Sequence, residues 1–175
     1  MRNVIIHGLH FHDIQPTSGG HVVLPGGKIT PMHKTDGDAI RLVSAFRVWV
    51  DHNTLYKGQD GLVDVTRESN RITISNNWFK DHNKVMLIGH EDDFFNDHFI
   101  RVTIVYNRFG PNCVQRMPRI RSGYVHTVNN FYEQWMHYAI GGSSNPTIMS
   151  QANLYIAPDS KNKGVGILIP VGNKA

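Results

Sequence analysis

Three arginines fall within six residues in the run Gln115-Arg116-Met117-Pro118-Arg119-Ile120-Arg121. A guanidinium holds its proton under nearly all conditions, so such neighbours repel one another unless an anion sits among them. The planar fork of donors on each arginine matches a carboxylate in particular. Upstream, Asp60 and Asp64 lie four residues apart, Asp51 precedes them, and Lys84 stands between the acidic and basic groups. Carboxylate oxygens suit hard cations, and Ca²⁺ tolerates irregular sets of them. The chemistry on offer is capture of an anionic ligand, with a cation close by. The plain alternatives are a solvated basic face and solvated surface carboxylates.

The elements that must position these groups are legible in a repeat. One template recurs, with β-formers at alternate positions, a polar step, Asn, and then an aromatic residue or leucine. It reads VWVDHNTL from Val48, ITISNNWF from Ile72, VTIVYNRF from Val102, VHTVNNFY from Val125 and IMSQANLY from Ile148. VIIHGLHF from Val4 fits except at the Asn position. Successive starts are 44, 24, 30, 23 and 23 residues apart. The first interval is read as about two periods, and the interval of 30 as one period with an insertion around HEDDFFNDH.

Asn53, Asn77, Asn107, Asn130 and Asn153 thus share one position, and Phe11, Leu55, Phe79, Phe109, Tyr132 and Tyr155 share another. A β-rich unit of this length predicts a solenoid, in which each turn buries its apolar side only against its neighbours. The asparagines would form a hydrogen-bonded column at the strand spacing of ~4.8 Å, beside a parallel stack of rings. A β-sandwich with turn asparagines is the alternative.

A second strand precedes each template, in DAIRL, GLVDV, KVMLIG, RIRSG and YAIGG. Alternation turns Val63, Val65 and Ile120 inward and Asp64, Arg119 and Arg121 outward. Leu62 shares the parity of Asp64, and Gly61 is read as resetting the register. Asp64, Lys84 and the arginines then occupy successive rungs spanning about 10 Å, a length suited to two or three sugar units.

These motifs resemble the plant pectate lyases and their pollen-allergen relatives, polysaccharide lyase family 1. The likeness is carried by VWVDHNTL, DGLVDV, ITISNNWFKDHNKVMLIGH, QRMPRIRSG and YAIGGSSNPTI, and covers the chain from NVIIHGLHFHD to NLYIAP. It implies an all-β, right-handed parallel β-helix with an internal asparagine ladder. It implies Asp51, Asp60 and Asp64 as Ca²⁺ ligands, Arg116 as the catalytic base, and Lys84 and Arg121, with Arg119 beside them, as binders of substrate carboxylates. The reaction implied is Ca²⁺-dependent β-elimination of α-1,4-polygalacturonate to 4,5-unsaturated oligogalacturonates, at an alkaline optimum. Some pollen relatives carry Glu where Lys84 stands in HNKVMLIG, so this chain reads as the more complete version. The chain is shorter than a full member and is read as truncated. The β-helix domain is assigned to residues 1–157 and a divergent tail to 158–175.

Against this stands a non-catalytic, allergen-like β-helix that only grips galacturonan. A polygalacturonase-like hydrolase needs two acids flanking the bond, and no convincing pair is present. The net charge of +4 admits several acidic partners, but the aromatics fall in the internal stack, which argues against nucleic acid. No apolar run approaches the roughly 20 residues of a membrane span, so no membrane partner is expected, and a monomer is. The start of the chain lacks the apolar core of a signal peptide, and secretion to the cell wall is expected from the resemblance alone. Cys113 is the single cysteine, so no intrachain disulfide forms. The spacing in His10-Phe11-His12-Asp13 is read as surface histidines rather than a metal site.

Overall fold

The computed structural model describes residues 1–161 and 164–168. The chain winds as a parallel β-helix around three six-stranded sheets. Sheet I contains Arg2–His7, Phe46–Asp51, Asn70–Ser75, Arg101–Val105, Tyr124–Val128 and Thr147–Gln151. Sheet II contains His10–Ile14, Thr54–Gly58, Trp78–Lys80, Arg108–Phe109, Phe131–Glu133 and Leu154–Ile156. Sheet III contains Ile40–Val43, Val63–Thr66, Met86–Ile88, Arg119–Ile120, Ile140–Gly142 and Gly166–Leu168. Each coil runs from sheet III through I to II and back to III.

Alternation builds the core. Val48 and Val50, Ile72 and Ile74, and Val102 and Ile104 point inward from sheet I, and Val63, Val65, Met86, Ile88 and Ile120 from sheet III. Leu62 is buried as well. Its N–H and that of Val63 both donate to the Val85 carbonyl at 3.1 Å. Leu62 therefore lies in the bend before the strand, where alternation does not bind it.

Between sheets I and II the chain turns through one residue at positive φ: Gly8, His52, Asn76, Tyr106, Asn129 or Ala152. The ladder asparagine follows. Asn77 Oδ1 accepts from the Asn53 backbone N–H at 2.9 Å and from Asn53 Nδ2 at 3.0 Å, and the pattern repeats from Asn77 to Asn107, Asn130 and Asn153. Each Nδ2 also donates to a backbone carbonyl of sheet I, as Asn107 does to Ile74 at 2.8 Å. Beside the ladder, Phe79, Phe109, Tyr132 and Tyr155 stack with centroids 4.7 to 5.1 Å apart.

Replacing Asn107 by alanine strands the Asn77 backbone N–H and the Ile74 carbonyl inside the helix. At about 1–3 kcal/mol for each stranded buried group, Asn107→Ala is expected to lose about 2–3 kcal/mol. A urea midpoint lowered at constant m-value checks this, and an unchanged midpoint contradicts it.

Two sequence expectations need correction. The 44-residue interval is one coil rather than two, because Arg2–His7 pairs directly with Phe46–Asp51. Its extra length forms the antiparallel hairpin of Gly20–Val23 with Ile29–Met32 and the polar segment after it. The solenoid also continues past residue 157, since Gly166–Leu168 pairs in parallel with Ile140–Gly142. The remainder of the assigned tail, residues 162, 163 and 169–175, lies outside the described residues. The 30-residue interval is one coil with an insertion, as expected, and a 3-10 turn at Phe95–Phe99 lies within it.

Candidate active site

Sheet III sets the site. In its register Arg41, Asp64, Leu87, Arg119 and Gly141 lie side by side across the strands, all on the outer face. Alongside runs a short parallel ladder of His82–Lys84 with Cys113–Gln115, in which Lys84 pairs with Gln115. Arg116 follows at φ 62, its carbonyl accepting from Met86 N–H at 2.7 Å.

These elements enclose a groove of about 340 Å³. Asp60, Asp64, Lys84, Arg116 and Arg121 line it together. So do Asp36, Asp38, Arg41, His90 and Glu91, which were not among the expected site residues. Asp38 sits just ahead of the strand Ile40–Val43, whose pairing with Val63–Thr66 carries Asp38 beside Gly61. The Gly61 N–H donates to Asp38 Oδ1 at 2.8 Å. The signal was the repeat itself: Asp38 opens DAIRL, the strand assigned to the rung next to GLVDV.

Asp38, Asp60 and Asp64 form the acidic end. Burial pushes the Asp64 carboxyl up to about 8, reinforced by the charges of Asp38 and Asp60 and opposed by Arg116. Burial also pushes Asp38 up to about 6, against the Gly61 hydrogen bond. Gly61 leaves space that these oxygens fill: a Cβ there would lie 2.5 Å from Asp64 Oδ1 and 2.9 Å from Asp38 Oδ1. An all-oxygen set of crowded carboxylates, two of them resisting ionisation, is the donor chemistry a hard divalent cation requires.

At the other end Arg121 is held by the inserted segment. Its Nη1 donates to the carbonyls of Gly89 and His90 at 3.2 and 2.9 Å, and its Nε lies 3.7 Å from Asp92 Oδ1. Gly89, at φ +94, passes so close that a Cβ would fall 2.9 Å from Arg121 Cβ. The segment is anchored by Asp97, which accepts from the N–H groups of Glu68 and His90 at 2.7 and 2.5 Å. Lys84 Nζ spans the two ends and pairs with Asp60 Oδ1 at 2.9 Å. Burial, and then the neighbouring guanidinium charges, lower Arg121 from its ordinary value.

Asp51 and Arg119 are placed elsewhere. Asp51 closes a strand of sheet I at the corner with sheet II, and the strand Thr54–Gly58 separates it from Asp60 and Asp64. Ser75, Asn76, His7 and His52 take up its carboxylate. Arg119 shares the outer face with Asp64 but is 1% exposed and does not line the groove. Burial, and then Arg116, lower it from its ordinary value. Cys113 lies in the ladder and is fully buried, which pushes its thiol up to about 12 and leaves it a poor nucleophile.

A family profile described as "Pectate lyase" matches residues 1–166. Pectate lyase 1 of Cryptomeria japonica is 50% identical over 162 residues, covering 92% of this chain and 43% of the relative. The crystal structure of jun a 1, the major allergen from cedar pollen, superposes with a TM-score of 0.91 at 45% identity, over 100% of this chain and 51% of that one. A pectate lyase bound to a hexasaccharide superposes with a TM-score of 0.77 at 27% identity, over 98% of this chain and 50% of that one. The chain thus spans less than half the length of that curated relative. With the ladder, the ring stack and the groove in place, the chain belongs to the pectate lyase family.

Proposed function

We propose that this chain cleaves polygalacturonate by β-elimination, with Ca²⁺ held by Asp38, Asp60 and Asp64. The observation that carries the reading is one groove with three carboxylates at one end and Lys84, Arg116 and Arg121 at the other. A neutral sugar gives such a groove nothing to satisfy, whereas a polyuronate carries a carboxylate on every residue. Family membership and the likeness to a hexasaccharide-bound pectate lyase point the same way. The polymer lies outside cells, so the site of action is extracellular.

Asp38, Asp60 and Asp64 would hold the Ca²⁺, whose charge would make the C5 proton beside a uronate carboxylate more acidic. Lys84 exchanges Asp60 for a uronate carboxylate, and Arg121, immobilised by Gly89, His90 and Asp92, presents a fixed donor fork to it. Their positive charge stabilises the enolate-like charge that builds up on that carboxylate. Arg116, in its unprotonated form, takes the C5 proton. The C5–H electron pair becomes the C4–C5 double bond, and the C4–O bond breaks with its pair on the glycosidic oxygen. That oxygen takes a proton from water, and the hydroxide so formed takes the proton from Arg116, which restores its free-base form.

The test is polygalacturonate with Ca²⁺ or with chelator, followed by the ultraviolet absorbance of the conjugated uronate and by reducing ends. Both signals are expected to rise with Ca²⁺ and to stop with chelator. Reducing ends without absorbance would mean a hydrolase. Retention on pectate with neither signal would mean a galacturonan-binding protein without catalysis.

A further inference from the structure

The corner between sheets I and II holds a second group of potential ligands, on a different sheet corner from the groove. His7 and Asp51 are direct partners in the register of sheet I, and Ser75 is the partner of Asp51 on the next strand. His52 follows Asp51 at φ 52, the left-handed turn that every coil makes here, and that turn brings its ring back over the carboxylate. His7 Nδ1 and His52 Nδ1 both meet the same oxygen, Asp51 Oδ2, at 2.9 and 2.6 Å. The three donor atoms lie within 4.8 Å of one another. The ring centroids are 5.4 Å apart at a tilt of 54°.

The carboxylate is oriented from behind. Its other oxygen, Oδ1, accepts from Ser75 Oγ at 2.6 Å and Asn76 Nδ2 at 3.0 Å. Ser75 Oγ is itself held by Trp49 Nε1 at 2.8 Å. Asp51 is 4% exposed at its side chain, whereas both imidazoles are 59% exposed. The result is a buried carboxylate fixed from behind, with two exposed imidazoles set against its outer oxygen. Supported carboxylates of this kind recur in metal sites, where hydrogen bonds behind the first ligand set its direction.

We propose that His7, Asp51 and His52 form a binding site for a borderline divalent ion, Zn²⁺ foremost, with a fourth position open to solvent. Two imidazole nitrogens and one carboxylate oxygen suit Zn²⁺, Ni²⁺ or Cu²⁺ and do not suit Ca²⁺, which takes oxygen ligands. Tetrahedral bonds of about 2.1 Å separate ligand atoms by roughly 3.4 Å, so the two exposed rings need move outward only a little. Each ring would turn an unprotonated Nδ1 to the ion and carry its N–H on Nε2, donating to water. The alternative is a pair of surface histidines capping a buried carboxylate with no ion between them.

The test uses the purified whole chain, stripped with chelator. Zn²⁺ is titrated by calorimetry, and Co²⁺ by its visible d–d bands with Zn²⁺ as competitor. One ion per chain is expected, not displaced by excess Ca²⁺. His7→Gln and His52→Gln, at half-exposed rings that the fold does not need, are each expected to weaken binding at least about tenfold. His12→Gln, on the neighbouring pair His12–Asp13 at 2.8 Å, is expected to bind as the parent does. No stoichiometric Zn²⁺, binding as tight as the parent's in both glutamine variants, or loss in His12→Gln would each overturn the proposal. Circular dichroism keeps unfolding apart from ligand loss.

Discussion

Arg116→Ala is expected to lower the rate of unsaturated-product formation from polygalacturonate by ~10²–10⁴-fold, the usual contribution of a positioned general base. Arg116 is fixed at its backbone by the hydrogen bond from Met86 and flanked in the groove by Lys84 and Arg121. In the proposed mechanism those two remain in the variant to hold the uronate carboxylates. The loss should therefore fall on kcat with KM little changed, which separates a base from a binder. Arg121→Ala is the contrast. It removes a donor fork that grips the ground state and the developing charge alike, so KM should rise as kcat falls.

The pH profile adds a second check on Arg116. A guanidine accepts a proton only after shedding its own, and guanidinium groups do so only under strongly basic conditions. Catalysis by Arg116 therefore demands a rate that climbs toward alkaline pH in the parent and loses that climb in Arg116→Ala. A parent optimum on the acid side, or an alanine variant within a few-fold of the parent, would remove Arg116 from the proton transfer.

The repeat was legible because the solenoid imposes one structural demand on every coil. A ladder position accepts Asn because only a short amide can both take the N–H of one neighbour and donate to a sheet I carbonyl. The six positions in register with the ring stack, of which Phe79, Phe109, Tyr132 and Tyr155 form the stack itself, were found for the same reason. What misled was distance along the chain within a coil. Asp51 lies nearer in sequence to Asp60 than Asp38 does, yet a coil has three corners, and Asp51 and Asp60 occupy different ones. Asp38 is one whole rung away and therefore adjacent to Gly61, at one strand spacing. Arg119 shows the other limit. Alternation turned it out of the core, but outward on sheet III is not the same as exposed: Arg119 is buried, with Arg116, Tyr138 and Asp92 from other segments near enough to shift its charge.

The crowding of Asp38, Asp60 and Asp64 has a consequence for stability that differs from the common case of a salt-bridged carboxylate. With no ion bound, burial holds the Asp64 carboxyl up at about 8 and the Asp38 carboxyl at about 6 in the folded chain, against an ordinary value of 3.8. Between roughly pH 4 and pH 8 the folded state therefore holds protons that the unfolded chain has released. The contribution of these two groups to stability therefore falls as pH rises through that window, outweighing the opposite contribution of His82, whose value burial lowers. The neighbouring Asp36 and Asp60 push in the same direction, and Arg116 and Arg41 push against it. Asp64→Asn removes the largest contributor, so its melting temperature should vary less with pH and exceed that of the parent near pH 8. Ca²⁺ should reverse the order: at 100 to 1,000 times its Kd it stabilises the parent by about 3–4 kcal/mol, and each kcal/mol moves Tm by ~2–4 °C in a chain of this size. Gly61→Ala keeps every carboxylate but fills the space where Asp64 Oδ1 and Asp38 Oδ1 converge, so it should lose this gain as Asp64→Asn does. A chelated parent that grows steadily more stable from pH 5 to pH 8 would refute the crowding. Equal Ca²⁺ gains in all three proteins would place the ion away from Gly61.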